Sequence, residues 1–274
     1  MRIFLTLYWQ FKCLMDPVGK IAFVTGGAIG IGFATCHELL KAGVKNVAFC
    51  DIDIEKGQAA LSELEAEFGT KRVIFMRTDV TIASELEGAF RKTLETFGGL
   101  DIVVNNAGII NEKEWEKAVA VNLNAVIRGT LLAIEHMSKE KGGTGGIVVN
   151  ISSICGLKPV AGSPMYNTTK HGVIALSRTL GGDYHYGFTG TRIVALCPGV
   201  THTAQFAGST KNLYDDKWAE AWSSTLAPLD KQGPEPVGRA VLELIQNARS
   251  GTVWVSEGGK PVFQVELIVQ EVEK

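Results

Sequence analysis

Ile21-Ala22-Phe23-Val24-Thr25-Gly26-Gly27-Ala28-Ile29-Gly30-Ile31-Gly32 is a short apolar run that ends in a cluster of glycines. Ile21 to Thr25 reads as a buried parallel strand. The glycines let the backbone turn tightly and approach a pyrophosphate. Ile31 to Ala42 then reads as a helix closed by Gly43. Its N-terminal amides and positive dipole end point back at the glycines. Strand, glycine turn and helix in this order make a phosphate loop. The spacing is GxxxGxG from Gly26 rather than the commoner GxGxxG.

Outward from this loop, strands and helices alternate. Strands are predicted at Asn46 to Cys50, Arg72 to Arg77, Asp101 to Val104, Gly146 to Ile151, Arg192 to Cys197 and Thr252 to Val255. Helices are predicted at Lys56 to Phe68, Ser84 to Phe97, Trp115 to Ser138 and Met165 to Leu180. Such alternation implies right-handed βαβ crossovers. The expected fold is α/β: a single doubly wound Rossmann domain over residues 19–274, with a parallel sheet of about seven strands and helices on both faces. Residues 1–18 form an N-terminal extension. Met1 to Met15 is largely apolar but too short for a spanning helix, which needs ~20 residues. It is expected to pack on the body or stay disordered, with a peripheral membrane contact as the alternative. Thr201 to Pro236 lacks strong periodicity and follows a strand end, where open α/β sheets bind ligands. Its position makes it a substrate lid.

A formal charge of -2 argues against an electrostatic nucleic-acid partner. The five cysteines are scattered and lack CxxC spacing, so neither a disulfide framework nor a zinc site follows. A reducing, cytoplasmic setting is expected. No HExxH or Cys/His cluster occurs, which excludes a zinc-type alcohol dehydrogenase, and no metal is expected at the site. Of the histidines, only His202 stands at a strand end that could face a pocket.

Asp51 lies 19 residues beyond Gly32, at the end of the second strand. An acid so placed accepts hydrogen bonds from the adenosine ribose and repels a 2′-phosphate, which favours NAD over NADP. Asp53 is the better candidate for a turn or cap. Tyr166-Asn167-Thr168-Thr169-Lys170 puts a phenol and an ammonium at i and i+4 of one helical face. A nearby cation is expected to lower the phenol's pKa, so that it can take an alcohol proton as hydride leaves carbon. Thirteen residues before Tyr166, a strand ends in Asn150-Ile151-Ser152-Ser153. Either serine could hold a substrate oxygen; either could also form a turn.

These motifs, in this order, resemble the short-chain dehydrogenase/reductase family from Lys20 to about Val255. They are TGGAIGIG at Thr25, Asp51, Thr78-Asp79-Val80, NNAG at Asn105, Asn122, SS at Ser152, YNTTK at Tyr166 and PGVTHT at Pro198. The resemblance implies a catalytic set of Ser153 orienting substrate, Tyr166 as general acid/base, Lys170 on the nicotinamide ribose and Asn122 supporting a water-linked proton relay. It implies NAD contacts from Gly26, Gly30, Ile31, Gly32, Asp51, Ile52, Asp79, Val80, Asn106, Val200, Thr201 and Thr203. Ser163, Phe206, Trp218 and Trp222 are the candidate substrate residues, beside Ser153. Within the family, AGIINEKEWEKAVAVNL at Ala107, GGTGGIVVNISS at Gly142 and YNTTKHG at Tyr166 are most like the hydroxyprostaglandin dehydrogenase branch. The chain also resembles the insect-type alcohol and photoreceptor retinol dehydrogenases.

The function implied is transfer of hydride between a lipophilic alcohol and NAD. A hydroxy fatty acid or prostaglandin-like lipid, retinol and an aliphatic alcohol all remain open. The hydrophobic lid motivates the word lipophilic. A non-catalytic NAD-binding scaffold or redox sensor is the rival from another class. The intact Ser153, Tyr166 and Lys170 set argues against it, and an epimerase or dehydratase is a third reading. The two long helices are expected to pair in a homodimer with a two-fold axis.

Overall fold

The computed structural model describes residues 13–266. Most of the predicted extension, residues 1–12, lies outside the described residues, and with it the question of membrane contact. Where the chain becomes described it already packs: the Leu14 amide donates to the Gln246 carbonyl at 2.6 Å, and Met15 rests on the apolar core.

The elements run β1 (Ile21–Thr25), α1 (Gly30–Lys41), β2 (Asn46–Asp51), α2 (Ile54–Phe68), β3 (Val73–Arg77), α3 (Ala83–Phe97) and β4 (Ile102–Asn105). Then come α4 (Trp115–Val119), α5 (Ala125–Met137), β5 (Gly146–Ile151), α6 (Pro164–Leu180), α7 (Asp183–Thr189), β6 (Thr191–Pro198) and β7 (Val200–Thr201). The chain continues through α8 (Ala204–Gly208), α9 (Asp216–Leu226), β8 (Lys231–Gln232), α10 (Pro234–Asn247), β9 (Val253–Ser256) and β10 (Phe263–Val265). Among the described residues the main sheet has eight strands in the order β10-β9-β6-β5-β4-β1-β2-β3. Every pairing is parallel except β9 with β10. The chain winds outward from β1 in both directions, which makes the fold a doubly wound Rossmann sheet with one added antiparallel edge.

The apolar runs form these strands because both faces of the sheet are covered. Every residue of β1, β5 and β6 is buried. On one face Leu39, Leu40, Leu64, Val241 and Leu244 from α1, α2 and α10 close over the sheet. On the other, Leu86, Phe90, Ala133 and Met137 from α3 and α5 do so. Phe23 and Phe49 are fully buried, and each such side chain stabilises by ~1.5–3 kcal/mol.

One polar thread crosses this core. The Asn105 amide, on β4, donates to Asn150 Oδ1 at 2.8 Å, in register on β5. Asn150 in turn donates to Ser177 on α6 at 3.0 Å. A Cβ at Gly129 of α5 would lie 2.2 Å from Asn105 Oδ1, so only glycine fits opposite this amide.

Four parts of the sequence reading change. The helix predicted as continuous from Trp115 to Ser138 contains a π-turn at Ala120–Asn124 between α4 and α5. This stretch is apolar and long enough to cross a membrane, but α5 packs against the sheet. Second, α7 was unread: its rings Tyr184, Tyr186 and Phe188 are exposed, so its sequence shows no apolar stripe. Third, α10 starts inside the predicted lid and buries Val237, Val241, Leu244 and Ile245 at helical spacing. Fourth, β10 is short and its Phe263 and Gln264 are exposed, which hides the alternation that marks a strand. The rest of the segment predicted as a lid runs as α8, a 3₁₀ turn (Ser209–Asn212) and α9. Its two ends are pinned together where β7 pairs with β8.

Candidate active site

A cleft of about 650 Å³ opens across the carboxyl ends of the strands, at the β1/β4 switch point where the winding reverses. Strand order sets what each end presents. Gly26, Gly30, Asp51 and Asp79 lie at or just beyond the ends of β1, β2 and β3 and line one end. Ser153, Tyr166 and Lys170 stand at the middle, beyond β5. Phe206, Trp222 and Leu226, supplied by the lid, wall the other end.

The glycine loop is held from two sides. The Asn106 side chain donates to the carbonyls of Thr25 and Gly26 at 3.0 and 2.9 Å, and Thr25 Oγ1 accepts the amides of Asn106 and Ala107. Gly32 serves packing: a Cβ there would lie 2.0 Å from the Gly26 carbonyl oxygen, so the helix could not close on the loop. The start of α1 has no capping side chain and no acid in its first turn. Its amides are left for an anion. Asp51 accepts the Ala28 amide at 3.2 Å and lines the cleft; Asp53 lines it too, but its carboxylate is taken up capping α2 and pairing with Lys56. A pyrophosphate on α1 with a ribose at Asp51 fits this donor and acceptor set.

At the middle, Ser153 Oγ accepts the Cys155 amide at 3.1 Å, which leaves its own hydrogen free to donate. The Tyr166 phenol lies beside the Ser153 side chain, which favours its ionised form. Lys170 is buried, donates from Nζ to the Ile151 carbonyl at 2.9 Å, and sits 5.5 Å from the centre of the Tyr166 ring. Burial pushes the Lys170 ammonium down to about 8, with the Cys197 and Cys155 thiols opposing. Burial likewise pushes the Tyr166 phenol up; the thiols of Cys155 and Cys197 add to this, and the Ser153 side chain opposes it. The direction is opposite to the expected depression by Lys170: in an apolar setting the cost of charging the phenol dominates. The two serines separate cleanly. Ser152 donates to the Lys170 carbonyl at 2.8 Å and ties β5 to α6, while Ser153 makes the contact to Tyr166.

Ile31, Ile52, Val80, Asn106, Val200, Thr201 and Thr203 also line the cleft. Five residues picked from the sequence do not. Gly32 packs under the loop, as above. Asn122 is fully buried in the π-turn and clasps Ile109, accepting its amide at 2.7 Å and donating to its carbonyl at 2.8 Å. Ser163 is buried against the Val160 carbonyl and Asn167. Trp218 stacks beside Tyr214 and packs behind the wall. His202 is exposed, and its amide serves the base of the lid. Ile110, Ile154 and Leu226 line the cleft but carried no sequence signal beyond being apolar. Glu112 was also missed: it is 4 % exposed, and its carboxylate accepts the amides of Met165 at 3.0 Å and Tyr166 at 2.9 Å. In sequence it sits in a charged run, Asn111-Glu112-Lys113-Glu114, that reads as solvated surface.

Known proteins share this plan. The chain is 44% identical over 190 residues to the 15-hydroxyprostaglandin dehydrogenase of Homo sapiens, whose name specifies NAD(+); the match covers 69% of this chain and 71% of that protein. It is 29% identical to alcohol dehydrogenase 2 of Ceratitis cosyra, over 89% of this chain and 94% of that one. Among solved structures, levodione reductase superposes with a TM-score of 0.77 at 26% identity, over 88% of this chain and 97% of that one. The short chain dehydrogenase family pattern matches residues 20–213, which span the glycine loop, Ser153, Tyr166, Lys170 and the first part of the lid. The chain belongs to the short chain dehydrogenase family.

Proposed function

We propose that the chain is an NAD-dependent oxidoreductase that transfers hydride between a lipophilic alcohol and NAD, with Tyr166 as general acid/base. One observation carries this reading: a single cleft joins an uncapped glycine loop and Asp51 to the Ser153, Tyr166 and Lys170 cluster. The NAD(+) in the name of one relative and the alcohol dehydrogenase title of another support it.

Gly26, Gly30 and the first turn of α1 would hold the pyrophosphate, Asp51 the adenosine ribose, and Val200, Thr201 and Thr203 the nicotinamide end. Bound NAD supplies the hydride acceptor and, when oxidised, a positive charge beside the phenol. Ser153 donates to the substrate oxygen and fixes it against Tyr166. Tyr166 takes the hydroxyl proton in oxidation and returns it in reduction. Lys170 holds its ammonium beside the Tyr166 ring and steadies the tyrosinate. Asn122 holds the Ile109 backbone next to this group. Ile110, Ile154, Phe206, Trp222 and Leu226 exclude water and favour a lipophilic chain. A screen of retinol, hydroxylated fatty acids and aliphatic alcohols, read as NADH absorbance, tests the reading. Turnover of none of the three classes would overturn it.

Asp51→Ala should narrow the preference for NAD over NADP, because the carboxylate that repels a 2′-phosphate is gone. Paired kcat/KM values for the two cofactors measure this. A native enzyme that uses both equally would refute the assignment of Asp51.

The homodimer is also part of this proposal. On α5, Leu131 is 51% exposed and stands with Ile127, Arg128 and Leu132 along an unfilled groove. A second copy laid across α5 and α6 would bury it. Leu131→Asp should shift the sedimenting species from dimer to monomer. A native protein that sediments as monomer at micromolar concentration would remove the dimer from the reading.

A further inference from the structure

The first turn of α6 carries Tyr166, and its capping is unusual. Ser163 occupies the N-cap position but makes no capping bond, and Pro164 has no N–H to offer. The next two amides, Met165 and Tyr166, both donate to Glu112, one to each carboxylate oxygen. A carboxylate from a distant loop thus replaces the local cap, and the helix dipole favours its charge. The same loop is fastened to the lid. The Glu112 amide donates to the Asn212 carbonyl at 2.9 Å, and Lys113 Nζ donates to the Lys211 carbonyl at 2.9 Å. With its amide turned to suit its neighbours, Gln205 of α8 donates to Gly108 at 3.1 Å and accepts from Ile110 at 3.2 Å. Asn122 grips the loop at Ile109. Residues 108–113 therefore touch the lid, the π-turn and the start of α6.

We infer that Glu112 is a positioning residue for the reaction: it fixes the turn that carries Tyr166 and ties that turn to the lid. The inference rests on the reading of Tyr166 as the proton-handling group. Glu112 does not line the cleft, so its effect belongs to kcat. The cofactor end, at Asp51 and the glycine loop, lies beyond its reach.

Glu112→Gln tests this with little change in volume. The glutamine oxygen can accept one amide, but its NH2 faces the other donor. Misplacement of a reacting group by ~1 Å costs about 10- to 100-fold, so kcat should fall by that order while NADH affinity, read by fluorescence, is unchanged. Amide hydrogen exchange at Met165 and Tyr166 should accelerate. Glu112→Ala should do the same more strongly, and Glu112→Asp should restore part of kcat. Native kcat in both Gln and Ala variants would overturn the inference. So would kcat and NADH affinity falling in parallel, which marks a general loss of fold. Tyr166→Phe run alongside separates the two readings. If it stays active, the assignment of Tyr166 fails; if it is inactive while Glu112→Gln is native, only the role of Glu112 fails.

Discussion

Tyr166→Phe should lower the rate of alcohol oxidation by about 100- to 10,000-fold, the range that general acid/base catalysis contributes. The substitution removes one oxygen and keeps the ring. The edge-on contact with Trp222, at 6.3 Å between ring centres, should survive, as should folding and NADH binding. The pH profile gives a second readout. Burial pushes the phenol above its ordinary value of 10, so the free enzyme holds it protonated at neutral pH. Oxidation should therefore speed up as pH rises, and this dependence should vanish with the hydroxyl. Near-native turnover by Tyr166→Phe would assign the proton to another residue.

Lys170→Met should pull activity and stability in opposite directions. Turnover should fall by about 100-fold, and NAD should bind more weakly, because the proposal gives the ammonium to both phenol and ribose. Stability should move the other way at pH 7. Lys170 titrates near 10.5 in the unfolded chain and at about 8 in the fold. Below pH 8 both states carry the proton, and the folded state bears the cost of a buried charge, about 3 kcal/mol at ~1.36 kcal/mol per unit. Between 8 and 10.5 the unfolded chain holds the proton more tightly, so this cost fades as pH rises. The lost hydrogen bond to the Ile151 carbonyl offsets about 1 kcal/mol of the gain. The variant should thus melt higher than the native protein at pH 7, and the gap should close toward pH 10. The buried thiols of Cys36 and Cys50 also respond to alkali, but equally in both proteins; those of Cys155 and Cys197 lose the neighbouring Lys170 charge in the variant and add to the pH trend above neutrality. A variant that melts lower at pH 7, with no pH trend in the difference, would refute a buried, charged Lys170.

The parts of the fold that could be read in advance owe their legibility to burial on both sides. β1, β2, β5 and β6 are nearly unbroken apolar runs because helices cover each face, and their observed ends lie within a residue or two of those predicted. The glycine loop and the Tyr166/Lys170 pair were visible because each needs particular residue types at fixed spacing. What escaped depends on tertiary context. The π-turn at Ala120–Asn124 is a backbone event with no residue code of its own. In α7 and β10, the exposed rings break the link between apolar character and burial. Glu112 looks like surface charge until α6 is brought against it. Asn122 was chosen by motif and Ser163 as a candidate substrate residue; the structure buries both behind the cleft wall, where they hold backbone and neighbours.

The amide of Asn105 and the bare α-carbon of Gly129 occupy one volume between sheet and helix. Neither position can vary alone without loss: a side chain at 129 meets the amide, and a smaller residue at 105 removes the shorter of the two hydrogen bonds to the Asn150 oxygen, leaving that from Thr130, and opens a hole beside the glycine. In descent the two positions should therefore behave as a single heritable character. A lineage that replaces one should be found to have replaced the other, although nothing in the linear order of the chain links them.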